Sequence, residues 1–209
     1  MKKILFLFLI LVSSDALADT AYDLYMSGNK AEGIAKWQDE ANNGNSSAKY
    51  VIGMLYNDSA QLGLCEIQDF CVFKKFSNYR KAKKIFEELY NEASDPRAAY
   101  ALAEYYDDHP LIITNYKKAA QLYSFAAERG VPEAQYNIAN MYERGDGVKK
   151  DLIQSVRWYL QCNVSSLCAA GKEGIDDLIV QLTDEEFDYA KSLVDYEIED
   201  VDIRITVGR

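Results

Sequence analysis

The chain has 209 residues, with 33 acids against 23 bases, one histidine and four cysteines. Its length allows one domain or two small ones, and 49% hydrophobic residues are enough to build a core rather than a disordered chain. A formal charge of −10 speaks against nucleic-acid binding, which calls for a basic patch. A single histidine leaves little for a His-based metal or catalytic site, so no metal and no cofactor is expected.

At the N-terminus, Lys2 and Lys3 precede an unbroken apolar run from Ile4 to Val12, followed by the small-residue triplet Ala16-Leu17-Ala18. This order predicts a secretory signal peptide over residues 1–18, cleaved after Ala18. The run is about half of the ~20 residues that a spanning helix needs, and no cysteine follows it to carry a lipid. No later segment approaches 18 apolar residues, so the mature chain is expected to start at Asp19, to insert in no membrane, and to work in the periplasm or beyond it. Ser27-Gly28-Asn29-Lys30 fits S-x-x-K, the nucleophile motif of serine β-lactamases. Two fixed residues recur easily by chance, and the partner motifs S-D-N and K-T-G are absent. No nucleophile is expected there.

From Ala48 onward the chain repeats. Residues 98–129 align with 134–165 at an offset of 36: Ala98 with Ala134, Tyr100 with Tyr136, Leu102 with Ile138, Ala103 with Ala139, Tyr106 with Tyr142. Asn115 then meets Asp151, Ala119 meets Ser155, and Tyr123 meets Tyr159. An earlier copy begins at Ala48, with Tyr50, Ile52, Gly53 and Tyr56 in the same columns, and holds about 14 extra residues between Tyr56 and Tyr79. Trp37, Ala41 and Gly44 form a half-copy before it. Apolar residues at i, i+4, i+5 and i+8 make one helical face. Pro96 and Pro132 suit a first helical turn, and Asn78, Asn115 and Asp151 are N-caps for the second helices. Small residues in the first helix let the second approach closely, and Tyr106, Tyr123, Tyr142, Trp158 and Tyr159 fill the space between helix pairs. Glycines in Gly145-Asp146-Gly147 permit a turn with positive φ.

Export places the four cysteines in an oxidising compartment, as two equally spaced pairs, Cys65/Cys71 and Cys162/Cys168. Of the three connectivities, proximity favours the two local bridges, Cys65–Cys71 in the inserted loop and Cys162–Cys168 between repeats. Each would contribute roughly 2 kcal/mol on the chain-entropy argument. Asp107 and Asp108 read as solvated acids, and His109, beside Pro110, as a turn residue.

The third copy, with Ala134, Ile138, Ala139, Tyr142, Gly145, Gly147, Val148, Asp151, Ser155, Trp158 and Tyr159, resembles the Sel1-like repeat, a relative of the tetratricopeptide repeat. Its pattern is, in outline, AxxxLGxxYxxGxGVxxDxxxAxxWyxxAAxxG, from which Ala139 and Ser155 depart mildly. The resemblance covers roughly residues 30–175. It implies an all-α, right-handed α/α solenoid of antiparallel helix pairs. The expected divisions are a half-repeat at 19–47, a repeat with the disulfide loop at 48–97, repeats at 98–133 and 134–169, acidic capping helices at 170–199, and a tail at 200–209. It also implies that first helices line a groove for a protein partner of unknown identity. The columns that vary between copies point to Glu104, Tyr105, Asn137, Asn140, Met141 and Arg144. The chain is therefore expected to be a non-enzymatic adaptor in envelope regulation or assembly, or an immunity protein. Its pairing of cysteines with repeats resembles cysteine-rich Sel1-like proteins, although the spacing here is C-x5-C rather than C-x7-C, and implies as an alternative a protein that binds or hydrolyses β-lactams or peptidoglycan fragments. The Sel1-like family at large implies another, a secreted host-contact factor.

Past the repeats, Thr183-Asp184-Glu185-Glu186 is a capping box that should start a helix through Phe187, Ala190, Leu193 and Val194. Residues 176–202 hold eleven acids and one base, Lys191. They read as a polar cap, which stacked repeats need for solubility.

Overall fold

The computed structural model describes residues 16–58, 62, 64, 70–72, 76–108, 112–163, 175–176 and 178–194. The described helices are α1 (Ala16–Met26), α2 (Lys30–Asn42), α3 (Ser46–Asn57), α4 (Tyr79–Ala93), α5 (Pro96–Asp107), α6 (Tyr116–Ala127), α7 (Pro132–Arg144), α8 (Leu152–Asn163) and α9 (Asp184–Ser192). Two two-residue strands, β1 (Cys71–Val72) and β2 (Phe76–Ser77), pair antiparallel between α3 and α4, Cys71 opposite Ser77. The fold is otherwise all-α. Contacts divide it into two compact units, Met1–Ala98 and Ala99–Arg209. In the first unit α1 packs on α2, α2 on α3, and α3 on α4; in the second α6 packs on α7, α7 on α8, and α8 on α9. Among the described residues no helix is long and apolar enough to cross a membrane.

The helix starts follow local chemistry. The side chains of Asn78, Asn115 and Asp151 accept hydrogen bonds from the amides of Lys81, Lys118 and Gln154. Each satisfies a donor that the first turn leaves without a partner. The first helices of the three copies begin at Ser46, Pro96 and Pro132, two residues ahead of the expected repeat boundaries. Pro132 sits in the first turn of α7, where no backbone donor is lost. At the C-terminal end the capping box is complete: Thr183 Oγ1 accepts from the Glu186 amide, and the Glu186 carboxylate accepts from the Thr183 amide. The helix it starts buries Phe187 and Ala190.

The repeat columns have a physical basis in the rings. Tyr50 lies against Phe86, Tyr100 against Tyr123, and Tyr136 against Tyr159, with ring centroids 5.7, 5.9 and 5.6 Å apart and tilted or edge-on. Such pairs contribute about 1 kcal/mol each beyond area burial. The facing small column, Gly53, Ala103 and Ala139, is buried throughout. At Gly53 even a methyl group would come within 2.6 Å of the Phe86 ring. The half-copy turns out to be a full helix pair: α1 supplies Tyr25, whose ring meets Trp37 at 5.6 Å. The S-x-x-K motif is the turn between them. Ser27 Oγ donates back to Leu24 O at 3.0 Å, while Lys30 Nζ donates to Leu62 O at 3.0 Å, so hydroxyl and amine serve separate partners.

The inserted segment returns to the first copy through Phe70, which stacks on Tyr56 at 4.3 Å. The Asn78 amide bonds Phe70 O at 3.2 Å. In the other copies the equivalent amides, of Asn115 and Asp151, bond the carbonyls of Tyr106 and Tyr142 at 2.7 and 2.9 Å. Phe70 thus takes over a bond that the uninterrupted repeats make directly. Cys162 is disulfide-bonded and buried. Each expected pairing, Cys65–Cys71 and Cys162–Cys168, includes a residue outside the described ones. The expected signal peptide up to residue 15, His109 and the expected tail also lie outside them.

One departure from the repeat pattern has an energetic cost. Ala82, Ala119 and Ser155 share a column, and all three are 0% exposed. Among the described residues, the hydroxyl that Ser155 brings there has no hydrogen-bond partner. Burying a hydroxyl without a partner costs about 1–3 kcal/mol. Ser155→Ala should therefore raise stability by roughly 1 kcal/mol in urea denaturation, and a loss of stability would show that the hydroxyl is satisfied in solution.

Candidate functional site

The second unit contains a cleft of about 230 Å³ lined by Asp107, Tyr136, Asn137, Asn140, Met141, Arg144 and Asp146. Five of these lie on α7 at i, i+1, i+4, i+5 and i+8, one face of the helix. Asp107 closes it from the end of α5, and Asp146 from the turn after α7. That turn exists because Gly145 and Gly147 hold φ of +84° and +70°, which redirects the chain directly below Arg144.

Four of the six residues expected in a groove, Asn137, Asn140, Met141 and Arg144, come together here. Asn137 and Asn140 are half-buried, Met141 forms a buried floor, and Arg144 is exposed. The other two do not join them. Tyr105 is 3% exposed and offers no surface. Glu104 is exposed and accepts a hydrogen bond from Tyr100 Oη at 3.0 Å.

Asp107 was expected to be solvated and is instead part of the site. Tyr123 Oη donates to its Oδ2 at 3.3 Å. Burial pushes the Asp107 carboxyl above the usual carboxylate range. Asp108 and Asp146 push it the same way, while the Tyr123 hydroxyl and Arg144 oppose them. The same bond recurs one repeat later, where Tyr159 Oη donates to Glu143 Oε2 at 3.2 Å. Both pairs stand at the 36-residue offset. In the first copy the two positions are Asn57 and Phe86, so hydroxyl and carboxylate are both missing. Burial raises the pKa of Tyr100, Tyr123 and Tyr159, with nearby carboxylates adding to the shift. These phenols therefore remain protonated donors.

Arg144 acts electrostatically on both Asp107 and Tyr159. It forms no hydrogen bond or ion pair with Asp107 or Asp146, so opposite charges line the cleft without joining. Among the described residues no group of three or more His, Cys, Asp or Glu is placed to hold a metal ion.

The Sel1 repeat family pattern matches residues 96–131 and 132–161, the spans of α5 with α6 and of α7 with α8. The chain carries two Sel1-like repeats over residues 96–161. It is 27% identical over 158 residues to a protein named "Exopolysaccharide production negative regulator" of Rhizobium leguminosarum bv. viciae, covering 69% of this chain and 54% of that one. The protein of the same name from Rhizobium meliloti (strain 1021) is 27% identical over 157 residues, covering 68% and 53%. The chain thus spans about half the length of the curated relatives it matches. Two solved structures share the Sel1-repeat fold. A protective antigen of uropathogenic Escherichia coli strains has a TM-score of 0.65 at 20% identity, over 84% of this chain and 36% of that one. A Sel1 repeat protein from Oxalobacter formigenes has a TM-score of 0.63 at 19% identity, over 78% and 61%.

Proposed function

We propose that this Sel1-like repeat protein is an exported, non-enzymatic adaptor that acts in the periplasm and regulates an envelope process by binding a partner protein through the α7 cleft. The carrying observation is the contrast between repeated and unrepeated residues. Packing positions recur from copy to copy, down to the ring pairs and the tyrosine–carboxylate bonds. Four of the cleft residues do not: Asn137, Asn140, Met141 and Arg144 stand where the preceding copy has Ala101, Glu104, Tyr105 and Asp108. Asn137 and Asn140 each bond a repeat tyrosine, but the preceding copy places no amide at either position, so their remaining polar atoms and the exposed Arg144 are what a bound partner would use. The order of charge, apolar run and small residues at the N-terminus supports export. The names of the rhizobial relatives support a regulatory role, with exopolysaccharide output as the process to examine.

The test compares wild-type protein with the Asn137→Ala/Asn140→Ala variant in a deletion strain of the source organism. Wild-type protein should crosslink a defined partner in the periplasmic fraction and restore exopolysaccharide output. The variant, folded by far-UV circular dichroism, should do neither. Full complementation by the variant would overturn the cleft, and recovery of the protein only from the cytoplasm would overturn export.

A further inference from the structure

The charges in the cleft specify what kind of segment could fill it. Asp107 is held at Oδ2 by Tyr123, and among the described residues its other oxygen has no partner. Asp146 likewise has none, and Arg144 on the same rim reaches neither carboxylate. Asn140 spends its Nδ2 on Tyr136 O at 3.0 Å, leaving its side-chain oxygen as an acceptor. The cleft therefore offers carboxylates and an amide oxygen to a cation, and a guanidinium fork to an anion, at separate points.

A lysine or arginine side chain alone would leave Arg144 unmatched beside it, and a carboxylate alone would face Asp107 and Asp146. A ligand with both charges satisfies both sets. Size narrows the choice. Seven residues of helix separate Asn137 from Arg144, about 10 Å of rise along α7, which is the span of about three extended residues. That suits a chain end better than a free amino acid.

The geometry points to the C-terminus of a partner protein ending in lysine or arginine. Its terminal carboxylate pairs with Arg144 in the bidentate manner of guanidinium and carboxylate. Its basic side chain lies between Asp107 and Asp146, and the residues before it run along Asn140 and Asn137. This assignment rests on the adaptor reading and names the chemistry of the partner at the same cleft.

Four probes test it by calorimetric titration into the full chain: acetyl-Gly-Ser-Gly-Lys with a free carboxylate, the same peptide as its C-terminal amide, acetyl-Gly-Ser-Gly-Glu, and free lysine. The first should bind at least tenfold more tightly than the other three. Arg144→Gln should reduce it to the level of the amide. Asp107→Asn, which keeps an acceptor for Tyr123, combined with Asp146→Asn should weaken it at least tenfold while the melting temperature holds. Equal binding of acid and amide, equal binding of free lysine, or no binding of any probe would overturn the assignment. If the Asn137→Ala/Asn140→Ala variant loses its cellular partner while no probe binds, the adaptor reading stands and the ligand is wrong. If the variant keeps its partner, the cleft is not the binding surface, and the cleft reading and the ligand fall together.

Discussion

Replacing Gly147 by alanine should destabilise the second unit by roughly 3 kcal/mol, from two sources that add. Gly147 has φ of +70°, a conformation that costs an L-residue about 1 kcal/mol relative to glycine. The larger source is space. A Cβ built there would overlap the carbonyl of Tyr116 and come within 2.6 Å of the Lys117 amide. Backbone at the start of α6 cannot swing aside as a side chain would. Gly145 is an internal control. Its φ is +84°, but its nearest neighbour is the Lys150 Cβ at 3.3 Å, so Gly145→Ala should cost only the conformational part, about 1 kcal/mol. Urea denaturation followed by far-UV circular dichroism separates the two. Equal losses would show that the turn does not sit against α6. Because Asp146 lies between the two glycines, Gly147→Ala should also weaken whatever binds the cleft, beyond its effect on stability.

How much of this was legible in the residues depends on what each position answers to. Columns that pack within one repeat were readable because the same contact is made again 36 residues later, as Tyr123 and Tyr159 do. The capping box at Thr183 was readable because it is a local arrangement. Tyr105 and Met141 were not separable: they occupy one column, yet the first is 3% and the second 4% exposed, and only Met141 floors a cleft. Spacing gives the helical face and not what lies opposite it. Asp107 and Asp108 look equivalent in sequence, but about 100° of helical rotation separates them. Asp107 turns toward Tyr123 while Asp108 is exposed. A signal existed, since Asp107 and Glu143 stand at the same offset as Tyr123 and Tyr159, with Asn57 and Phe86 lacking both groups. The partner helix for Trp37 was hidden because α1 begins at Ala16, across the expected cleavage site. The β1–β2 pair is too short to show alternation.

Asp95→Ala should cost roughly 3 kcal/mol in the first unit, because one buried carboxylate does two jobs. Asp95 is 6% exposed. Its Oδ1 accepts the Arg97 backbone amide at 2.9 Å, capping the start of α5. The same carboxylate takes the Arg97 guanidinium through Nε at 3.0 Å and Nη2 at 2.6 Å. The fork is held over the Tyr50 ring, 4.8 Å from its centroid, and Nη1 reaches Ser47 Oγ at 3.5 Å. Losing a cap costs about 1 kcal/mol. Losing one partner of a largely buried ion pair costs about 3–5 kcal/mol, because a charge is stranded, and the residual exposure of Arg97 lowers that figure. The two parts can be told apart. Asp95→Asn keeps an acceptor for the amide and should lose less than Asp95→Ala. Arg97→Met in the Asp95→Ala background removes the stranded charge and should recover part of the loss, leaving about the cost of the cap. An Asp95→Ala loss below about 1 kcal/mol would mean that the pair behaves as a surface ion pair. The third copy has Val131 at this position, which caps α7 without any side-chain bond, so the repeat itself does not demand an acid. Asp95 and Arg97 are therefore particular to the junction between the first two copies, and a loss of the predicted size would locate there a contribution that the Sel1-like pattern does not supply.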